Sequence, residues 1–382
     1  MKTVAVHDWL YTFAGSERVL ESILRCIPVQ AIYTLVDFLP EKYRFFLNEL
    51  PVRTSFLQKL PWAQSKRRFY LPLMPLAIES LDLSEADLVI SSSATVAKGI
   101  LTNANQLHIC YCHSPVRYAW DLTHQYLRKD RLEKGLKAFL ARIILHYIRV
   151  WDVISSNRVD HFVANSNYIA KRIRRVYQRE STVIYPPVDI DKFKVHDSKE
   201  DYYLTVSRLV PYKNIDLIVE VFAQNKKKLL VVGEGPDYKK IKKKATRNIE
   251  MMGFLSDDAV SNLMSRAKAF VFTADEDFGI VSVEAQASGT PVIAFGRGGS
   301  LETIKGVFVG EKPAPKTTGI YFSEQTPQSL AAAIEWFEHC QEKIAPADCR
   351  ANAERFSRER FEKEFSQFVT AKWEEHHNNR HS

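Results

Sequence analysis

The sequence predicts two α/β domains in tandem, each built around a doubly wound parallel sheet. Short apolar runs typical of buried strands alternate with amphipathic helical segments along nearly the whole chain. The alternation stops at Pro186-Pro187, passes through the polar run 192–201, and then starts again. We therefore expect a first domain at residues 1–188 and a second at 189–363. A ligand is expected in a cleft between their strand ends.

The composition is that of a globular protein with an uneven charge. The chain of 382 residues is 46% hydrophobic and 26% charged, and its net charge is +8. Residues 1–190 carry 25 Lys/Arg and 17 Asp/Glu, whereas the remaining 28 Lys/Arg and 28 Asp/Glu cancel. This asymmetry indicates an anionic partner for the first half: a membrane surface, a phosphate-bearing substrate or nucleic acid.

Cysteine usage and hydropathy indicate the compartment. Five cysteines are too few and too scattered for a disulfide framework in a chain of this size. Charged residues interrupt the N-terminus too early for a signal-peptide core, and no uncharged apolar run approaches the ~18 residues of a membrane-spanning helix. We therefore expect a cytoplasmic protein that is neither secreted nor integral to a membrane.

The first domain is expected to begin with a strand at residues 3–7, a loop containing Gly15, and an amphipathic helix. A strand, a glycine turn and a helix start together suit a phosphate, although a lone glycine is equally a plain turn. The other strands are expected at residues 31–34, 87–91, 107–112, 161–164 and 182–185. His113 follows one of these strands, where a cleft should lie. Cys110 and Cys112 precede it, but no fourth ligand at a sensible spacing supports zinc.

The second domain begins with a strand followed directly by two cations. Arg208 and Lys213 lie in the segment Ser207–Asn214, at the start of the next helical pattern. Two cations at a strand end can clamp a diphosphate without a metal, although surface cations on a loop are the alternative. The strands of this domain are expected at residues 203–206, 228–232, 249–252, 269–272 and 291–294, with a helical tail at 347–373.

Glycines end two of these strands. Gly233 belongs to a Gly-Glu-Gly turn that would admit a ligand close to the backbone, or simply connect a strand to a helix. Gly253 ends the next strand and is followed by Phe254, which either stacks on a ligand or belongs to the core.

An acidic turn follows the buried strand at 269–272 and precedes a helical pattern that ends at Gly289. Backbone N–H groups at a helix start bind anions or hydroxyls, and the Glu276 carboxylate can accept hydrogen bonds from a polyol there. If the stretch is fully helical, Glu284 lies ~12 Å further along, which suits the two ends of a sugar nucleotide.

This pair of glutamates, separated by seven residues, resembles the signature of the family 4 retaining glycosyltransferases of the GT-B fold. The resemblance extends to the segment His7–Leu10, which is similar to the start of bacterial members that build surface polysaccharides. It implies two Rossmann-like domains facing each other across a cleft, with a last helix at about 364–382 that packs back on the first domain.

The resemblance also implies roles for individual residues. Glu276 and the amides of the residues after it would hold the donor sugar, and Glu284 would bind the ribose. Arg208 and Lys213 would bind the diphosphate, and His113 would contact the sugar near the reacting carbon. Gly15 would border the diphosphate, although Ala14 departs from the usual double glycine. The remaining implied contacts are Asp277, Phe278 and Gly279 to the sugar, and Gly253 with Phe254 at the nucleotide base. Gly233 stays a candidate substrate contact on the ground of its turn alone.

The implied activity is transfer of a hexose from a UDP- or GDP-linked sugar to a glycan or lipid-linked acceptor, with retention and without a metal cofactor. An acid triplet at residues 275–277 also resembles the metal site of single-domain glycosyltransferases, but the Arg208 and Lys213 pair favours metal independence. The alternatives are a sugar-nucleotide epimerase, a phosphorylase, or a two-domain binding protein without chemistry. A nucleic-acid partner is not expected, since no recognised motif accompanies the charge.

Two further features have open interpretations. Arg297 follows a strand end near the acidic turn, where it would pair with the carboxylate of a uronic acid donor or remain a surface arginine. Residues 56–71 and 131–151 combine apolar faces with cations such as Lys134, Lys137, Arg142 and Arg149. They indicate either peripheral contact with an anionic membrane, at the inner face of the plasma membrane, or packing against the sheet with cations extended to solvent.

Overall fold

The computed structural model describes residues 1–65, 67–121, 123, 127, 134–196 and 198–379. The chain forms two units, one of Met1–Pro187 with Phe361–Ser382 and one of Val188–Arg360. Among the described residues, each unit contains a seven-stranded sheet in which neighbouring strands run parallel. The predicted doubly wound α/β class is therefore confirmed.

The sheet of the first unit has the strand order β3-β2-β1-β4-β5-β6-β7. Its strands are β1 (Thr3–His7), β2 (Ala31–Thr34), β3 (Val52–Thr54), β4 (Leu88–Ser93), β5 (Leu107–Cys112), β6 (His161–Ala164) and β7 (Ser181–Val183). The direction of strand succession reverses between β1 and β4, which pair through Thr3 with Leu88 and His7 with Ser92. Such a reversal leaves a crevice at the carboxyl ends of the two strands, where ligands of open α/β sheets bind.

Helices cover both faces of this sheet, and its strands β1, β2, β4 and β5 are buried at every position. They are α1 (Gly15–Cys26), α2 (Met74–Glu79), α3 (Leu136–Ser156) and α4 (Asn167–Tyr177). Helix α4 begins where Ser166 Oγ accepts a hydrogen bond from the backbone N–H of Ile169 at 3.1 Å. Helix α3 was expected from residue 131, and the described part begins at Leu136 after Gly135.

The sheet of the second unit repeats the same pattern in the order β10-β9-β8-β11-β12-β14-β13. Its strands are β8 (Tyr203–Val206), β9 (Leu229–Val232), β10 (Ile249–Gly253), β11 (Ala269–Phe272), β12 (Val292–Phe295), β13 (Gly306–Phe308) and β14 (Gly319–Phe322). The reversal falls between β8 and β11, so the crevice of this unit lies where the residues after Val206 and Phe272 begin. Strands β3, β13 and β14, which are three or four residues long, were not anticipated.

The remaining helices are those of the second unit and of the tail, and most of the last one belongs to the first unit. They are α5 (Ile215–Asn225), α6 (Tyr238–Lys242), α7 (Asp257–Arg266), α8 (Ile280–Ala287), α9 (Ser300–Thr303), α10 (Pro327–Cys340), α11 (Pro346–Ala353) and α12 (Arg358–Asn379). The expected continuous tail helix at 347–373 is thus interrupted between α11 and α12.

Helix α12 completes the core of the first unit. Phe361 and Phe365 are fully buried and stack at 5.5 Å between ring centroids. They join an apolar cluster with Ile109 and Tyr111 of β5. Among the described residues, no helix has both the length and the apolar content needed to cross a bilayer.

Candidate functional site

The acidic turn lies at the reversal point of the second sheet. Strand β11 ends at Phe272 and helix α8 begins at Ile280, so Glu276 lies in a loop and not on the helix. Gly279 has a φ of +83°, a left-handed conformation that ends the loop and cannot continue into an α-helix. The helical separation of ~12 Å between Glu276 and Glu284 therefore does not apply. Glu284 is half-buried in the second turn of α8.

Lys213 forms an ion pair with Glu276 at this edge of the sheet. Lys213 Nζ contacts Glu276 Oε1, and the two side chains are only 15% and 17% exposed. Thr273, directly after β11, donates its hydroxyl to the carbonyl oxygen of Lys213 at 2.9 Å. This hydrogen bond attaches the loop after β8 to the end of β11. The structure thus brings together two residues that the sequence separates by 63 positions.

Arg208 lies on the same loop, after β8. Its side chain is exposed and makes no ion pair with any described residue. The predicted diphosphate-binding pair therefore lies on a loop between β8 and α5. In this pair Lys213 contacts Glu276, and Arg208 faces solvent. Because β8 and β11 are neighbouring parallel strands, the loop and the acidic turn follow the same edge of the sheet.

A glycine loop after β12 supports the acidic turn from behind. Gly299 donates its N–H to the carbonyl oxygen of Glu276 at 2.8 Å. A Cβ on Gly299 would lie 2.4 Å from Phe278 Cα, and one on Gly298 would lie 2.5 Å from the Glu276 carbonyl oxygen. The close packing of these backbones requires glycine at both positions. This support was not predicted, although the Gly-Arg-Gly-Gly sequence at a strand end was the available signal.

Arg297 of the same loop pairs with a carboxylate of the chain itself. Its Nε lies 3.2 Å from Asp275 Oδ2, while the arginine side chain remains 65% exposed. The guanidinium is therefore near the acidic turn, as expected, but Asp275 already partly neutralises its charge.

The residues between Glu276 and the helix divide into buried and accessible groups. Phe278 is buried at 4% exposure and packs edge-on against Phe356 at 5.3 Å. Only its backbone amide is thus suited to a ligand. Asp277 is half-buried and Gly279 is buried in the turn before α8. Their contacts with a sugar remain predictions.

The glycines that end β9 and β10 have a structural explanation. Gly233 has a φ of +128°, and a Cβ there would lie 1.9 Å from the carbonyl oxygen of Ser207. It donates its N–H to the carbonyl oxygen of Gly253 at 2.7 Å. Gly233 therefore packs two loops together, which favours the strand-to-helix connection over ligand admission. Phe254 is 72% exposed, so its assignment to the core is wrong and it remains accessible for stacking.

In the first unit, His113 follows β5 and is held in a neutral state. Desolvation of its ring and the nearby His7 together lower the pKa of His113 to about 3, and Glu17 only partly opposes this. Its Nε2 lies 2.8 Å from Ser92 Oγ at the end of β4. The histidine can therefore exchange hydrogen bonds near neutral pH, but it cannot supply a positive charge.

The end of β1 contributes a buried His7 and Glu17 pair. Their Nε2 and Oε1 atoms lie 3.6 Å apart. Burial tends to raise the pKa of Glu17, but the hydrogen bond and charge of His7, with the N–H groups of Glu17 and Ala14, hold it below its usual value. Gly15 is the first residue of α1, and the Ala14 N–H donates to Glu17 Oε2 at 3.0 Å.

Asp8 holds a loop at the crevice of the first sheet, a role that the sequence did not predict. Its two carboxylate oxygens accept four backbone hydrogen bonds, from the N–H groups of residues 94–97, at 2.6 to 2.9 Å. These residues follow β4, so the carboxylate fixes the loop on the far side of the crevice from β1. The resemblance included Asp8 in the segment His7–Leu10 but assigned it no role.

Metal-ligating clusters are not found within the described ranges, where no three His, Cys, Asp or Glu side chains are grouped to hold an ion. Cys110 and Cys112 are buried in β5. A hydrogen bond from Cys110 and burial together raise the pKa of the Cys112 thiol well above its usual value, so it stays protonated.

Comparison with known proteins agrees with the fold and the motifs. Residues 15–192 match the model "Glycosyltransferase Family 4", and residues 188–356 match "Glycosyl transferases group 1". The solved structure of Anabaena HepE in complex with UDP superposes on 97% of this chain and 100% of its own, with a TM-score of 0.71 and 18% identity. The two units therefore have the GT-B fold, and the chain belongs to family 4 of the glycosyltransferases.

Two relatives are similar in sequence. The alpha-1,3/1,6-mannosyltransferase ALG2 of Saccharomyces cerevisiae is 25% identical over 357 residues, which cover 78% of this chain and 65% of the yeast protein. The O-antigen chain mannosyltransferase RfbU of Salmonella typhimurium is 32% identical over 163 residues, covering 38% of this chain and 45% of RfbU. The match thus spans about two thirds of the yeast protein and under half of the bacterial one.

Proposed function

We propose that this protein transfers a hexose from a nucleoside diphosphate sugar to a glycan or lipid-linked glycan acceptor, with retention at the anomeric carbon and without a metal. The observation that carries the proposal is the contact between Lys213 and Glu276 at the reversal point of the second sheet. This contact supports the proposal because a cation, which suits a diphosphate, lies beside a carboxylate, which suits sugar hydroxyls, and the exposed Arg208 follows the same edge.

In the proposed chemistry, binding of the donor changes which charged groups pair at this edge of the sheet. A bound diphosphate attracts Lys213 away from Glu276, since the phosphate carries the larger negative charge. The released carboxylate then accepts hydrogen bonds from the sugar hydroxyls, next to the amides of residues 277–279. As the glycosidic bond breaks, Arg208 and Lys213 stabilise the negative charge that develops on the leaving diphosphate. In this proposal the neutral His113 contacts the sugar, and Glu284 and Phe254 contact the nucleoside.

The sugar proposed first is mannose, with glucose next. ALG2 and RfbU are both named mannosyltransferases, whereas HepE was solved with UDP, and also with UDP and glucose. The sugar in these names therefore differs, and both UDP- and GDP-linked donors belong in the test. The pairing of Arg297 with Asp275 favours a neutral hexose over a uronic acid, because a uronate would compete with a carboxylate already in place.

The acceptor and the compartment are proposals as well. We place the reaction in the cytoplasm, in the synthesis of a surface polysaccharide, in keeping with the O-antigen role in the name of RfbU. All five cysteines are free thiols, as a reducing compartment permits.

The test is release of nucleoside diphosphate from a panel of GDP-mannose, UDP-glucose, UDP-galactose and UDP-glucuronate. Lys213→Ala and Arg208→Ala are each expected to lower kcat/KM by roughly 10²- to 10³-fold, the usual effect of removing a group that stabilises developing charge. Lys312→Ala replaces an exposed lysine of the same unit and should have no effect. Activity should persist in a chelator.

Four results would contradict parts of the proposal. Full activity in both clamp variants would remove the diphosphate assignment. Loss of activity in chelator with recovery on Mn²⁺ would favour a metal at Asp275 and Asp277. An epimerised sugar nucleotide without net release would replace transfer by epimerisation. For the sugar carboxylate, Arg297→Ala should impair glucuronate use no more than hexose use; a selective loss would restore the uronate pairing.

A further inference from the structure

Helix α3 presents an unusually apolar face to solvent. Seven large apolar side chains on it are 44% to 82% exposed: Leu136, Phe139, Leu140, Ile143, Tyr147, Val150 and Ile154. At about 100° per residue they fall within an arc of roughly 100°, one continuous stripe along the helix. The opposite face, with Leu145 and Ile148, is buried in the first unit. We call this stripe the α3 face.

The charged side chains of α3 that border the α3 face are all positive. Lys137 lies on one margin of the stripe, while Arg142 and Arg149 lie on the other, and Lys134 precedes the helix. The only carboxylate of α3 is Asp152, which is fully buried against Lys98. Solvent therefore meets an apolar stripe bordered by cations, without an acidic side chain on the helix to offset them.

A second exposed apolar segment lies next to the helix. Trp62 is 67% exposed and Phe69 is 77% exposed. The short helix at Arg67–Leu73 packs against α3 through Leu71, which joins the cluster of Leu145 and Ile148. Lys66 and residues 131–133 of the expected basic surface lie outside the described residues, as do the side chains of residues 67 and 68.

We propose that the α3 face, with the segment containing Trp62 and Phe69, docks on the surface of an anionic lipid bilayer. The apolar stripe would enter the boundary between headgroups and acyl chains, and the flanking cations would contact lipid phosphates. The helix lies on the bilayer and does not cross it, since it lacks the apolar length of a span. The excess positive charge of residues 1–190 also favours binding to an anionic bilayer.

Charge decides between lipid and a second copy of the chain. In a two-fold dimer through this face, the same patch meets itself, so the cations on its margins would lie close to those of the other copy. Helix α3 offers no exposed carboxylate to pair with them. An anionic bilayer supplies both the apolar layer and the opposite charge.

The test is flotation of the full chain with vesicles. One set contains phosphatidylcholine alone and the other about 30% phosphatidylglycerol, and both are measured at low and at roughly 0.5 M salt. Phe139→Asp with Ile143→Asp places two carboxylates in the stripe at positions that are already 61% and 48% exposed, so the core is not altered. Phe139→Leu with Ile143→Leu is the matched control, and Val309→Asp introduces a carboxylate at an exposed apolar position of the second unit. Circular dichroism and thermal unfolding should match for all variants.

The expected result is salt-sensitive binding to the anionic vesicles, reduced about tenfold or more in the double aspartate variant and retained in both controls. Equal binding of both vesicle types would overturn the role of charge. Unchanged flotation of the double aspartate variant would overturn the role of the α3 face. A dimer in light scattering that the aspartates dissociate, without vesicle binding, would assign the face to a second copy instead.

Discussion

His108 illustrates how the surroundings of a single residue fix its protonation. The ring is fully buried in β5, with Nδ1 3.0 Å from the carbonyl oxygen of Arg158 and Nε2 2.8 Å from Ser91 Oγ. A carbonyl oxygen only accepts hydrogen bonds, so Nδ1 carries the proton and Nε2 accepts from the serine hydroxyl. Burial lowers the pKa of His108 to about 4, and the hydrogen bond to Arg158 only partly opposes this.

This depressed pKa predicts a loss of stability in mild acid. An unfolded histidine binds its proton near pH 6.5, whereas folded His108 stays neutral until about pH 4. Stability is therefore complete above about pH 6.5 and falls as the pH decreases through that window. Between pH 7 and pH 5 the contribution of this group is about 2 kcal/mol. Unfolding by denaturant at the two pH values should show a smaller difference in His108→Gln than in the unchanged protein.

The control is His196→Gln, since His196 is exposed. It should leave the pH dependence unaltered. The idea would be refuted if His108→Gln lost as much stability between the two pH values as the unchanged chain.

At the same scale, the sequence identified most of the charged residues of the candidate site but not the residues that position them. Arg208, Lys213 and Glu276 were predicted because they lie in the segments that follow two apolar strands. Asp8 was not assigned a role, since an acidic residue after a strand gives the same sequence pattern whether it binds a ligand or caps a loop. Its four backbone hydrogen bonds depend on a loop 86 residues away in the chain, which only the tertiary fold brings near.

At the scale of elements, helix α3 is anchored to the first unit by a buried ion pair. Lys98 Nζ lies 2.5 Å from Asp152 Oδ1, and both side chains are almost completely buried. Trp120 Nε1 and the Tyr177 hydroxyl also donate to Asp152, at 2.8 and 3.0 Å. Burial and the adjacent carboxylate raise the pKa of Tyr177 well above its usual value, so its hydroxyl remains a donor.

Removing one partner of this pair should be more harmful than removing both charges. Lys98→Met leaves a buried carboxylate without its cation and is expected to cost about 3 to 5 kcal/mol of unfolding free energy. Adding Asp152→Asn should recover a large part of that loss, because the amide carries no charge and still accepts from Trp120. Denaturant unfolding of the four chains in a double-mutant cycle measures the coupling.

An exposed ion pair provides the comparison with the buried pair of Lys98 and Asp152. Lys240 and Asp216 lie 3.5 Å apart at side-chain exposures of 67% and 36%. Lys240→Met should therefore change stability little. Two results would contradict the anchoring role of the Lys98 and Asp152 pair. One is a change in unfolding free energy for Lys98→Met as small as that for Lys240→Met, and the other is a double variant less stable than Lys98→Met.

The sequence predicted the order of the helices and strands better than it predicted where each one begins and ends. The start of α8 was placed too early, because the apolar pattern continues through residues that the left-handed Gly279 excludes from the helix. The three strands β3, β13 and β14 were not predicted, and a segment of three or four residues shows only a weak period of its own. Each is defined by pairing with a longer neighbour, which is information that lies outside the segment itself.

At the scale of the whole molecule, the alternation of strands and helices was sufficient to predict two parallel-sheet units. The last helix was assigned to the first unit only by resemblance. Its apolar residues Phe361 and Phe365 follow a helical pattern that fits either unit equally well. Helical periodicity identifies a buried face without identifying the surface that covers it.

The contribution of α12 to the first unit can be measured directly. Phe365→Ala removes a fully buried ring and is expected to destabilise that unit by about 3 to 5 kcal/mol. Hydrogen exchange should accelerate in strands β1, β4 and β5, while β8 and β11 keep their protection. Gln367→Ser, at an exposed position of the same helix, should alter neither set. Equal acceleration in both units would show that they unfold together.

The discontinuity of the first unit has a consequence for its synthesis. A ribosome produces β1 to β7 first, yet the rings of Phe361 and Phe365 that close their core are made more than 170 residues later. The second unit, residues 188–360, is contiguous and has all its strands before α12 emerges. The second unit can therefore complete its core as soon as residue 360 is made, whereas the usual order of folding during translation is N-terminal part first. Until α12 has been made, the nascent first unit lacks the rings that cover its sheet, and a chaperone is suited to cover that apolar surface.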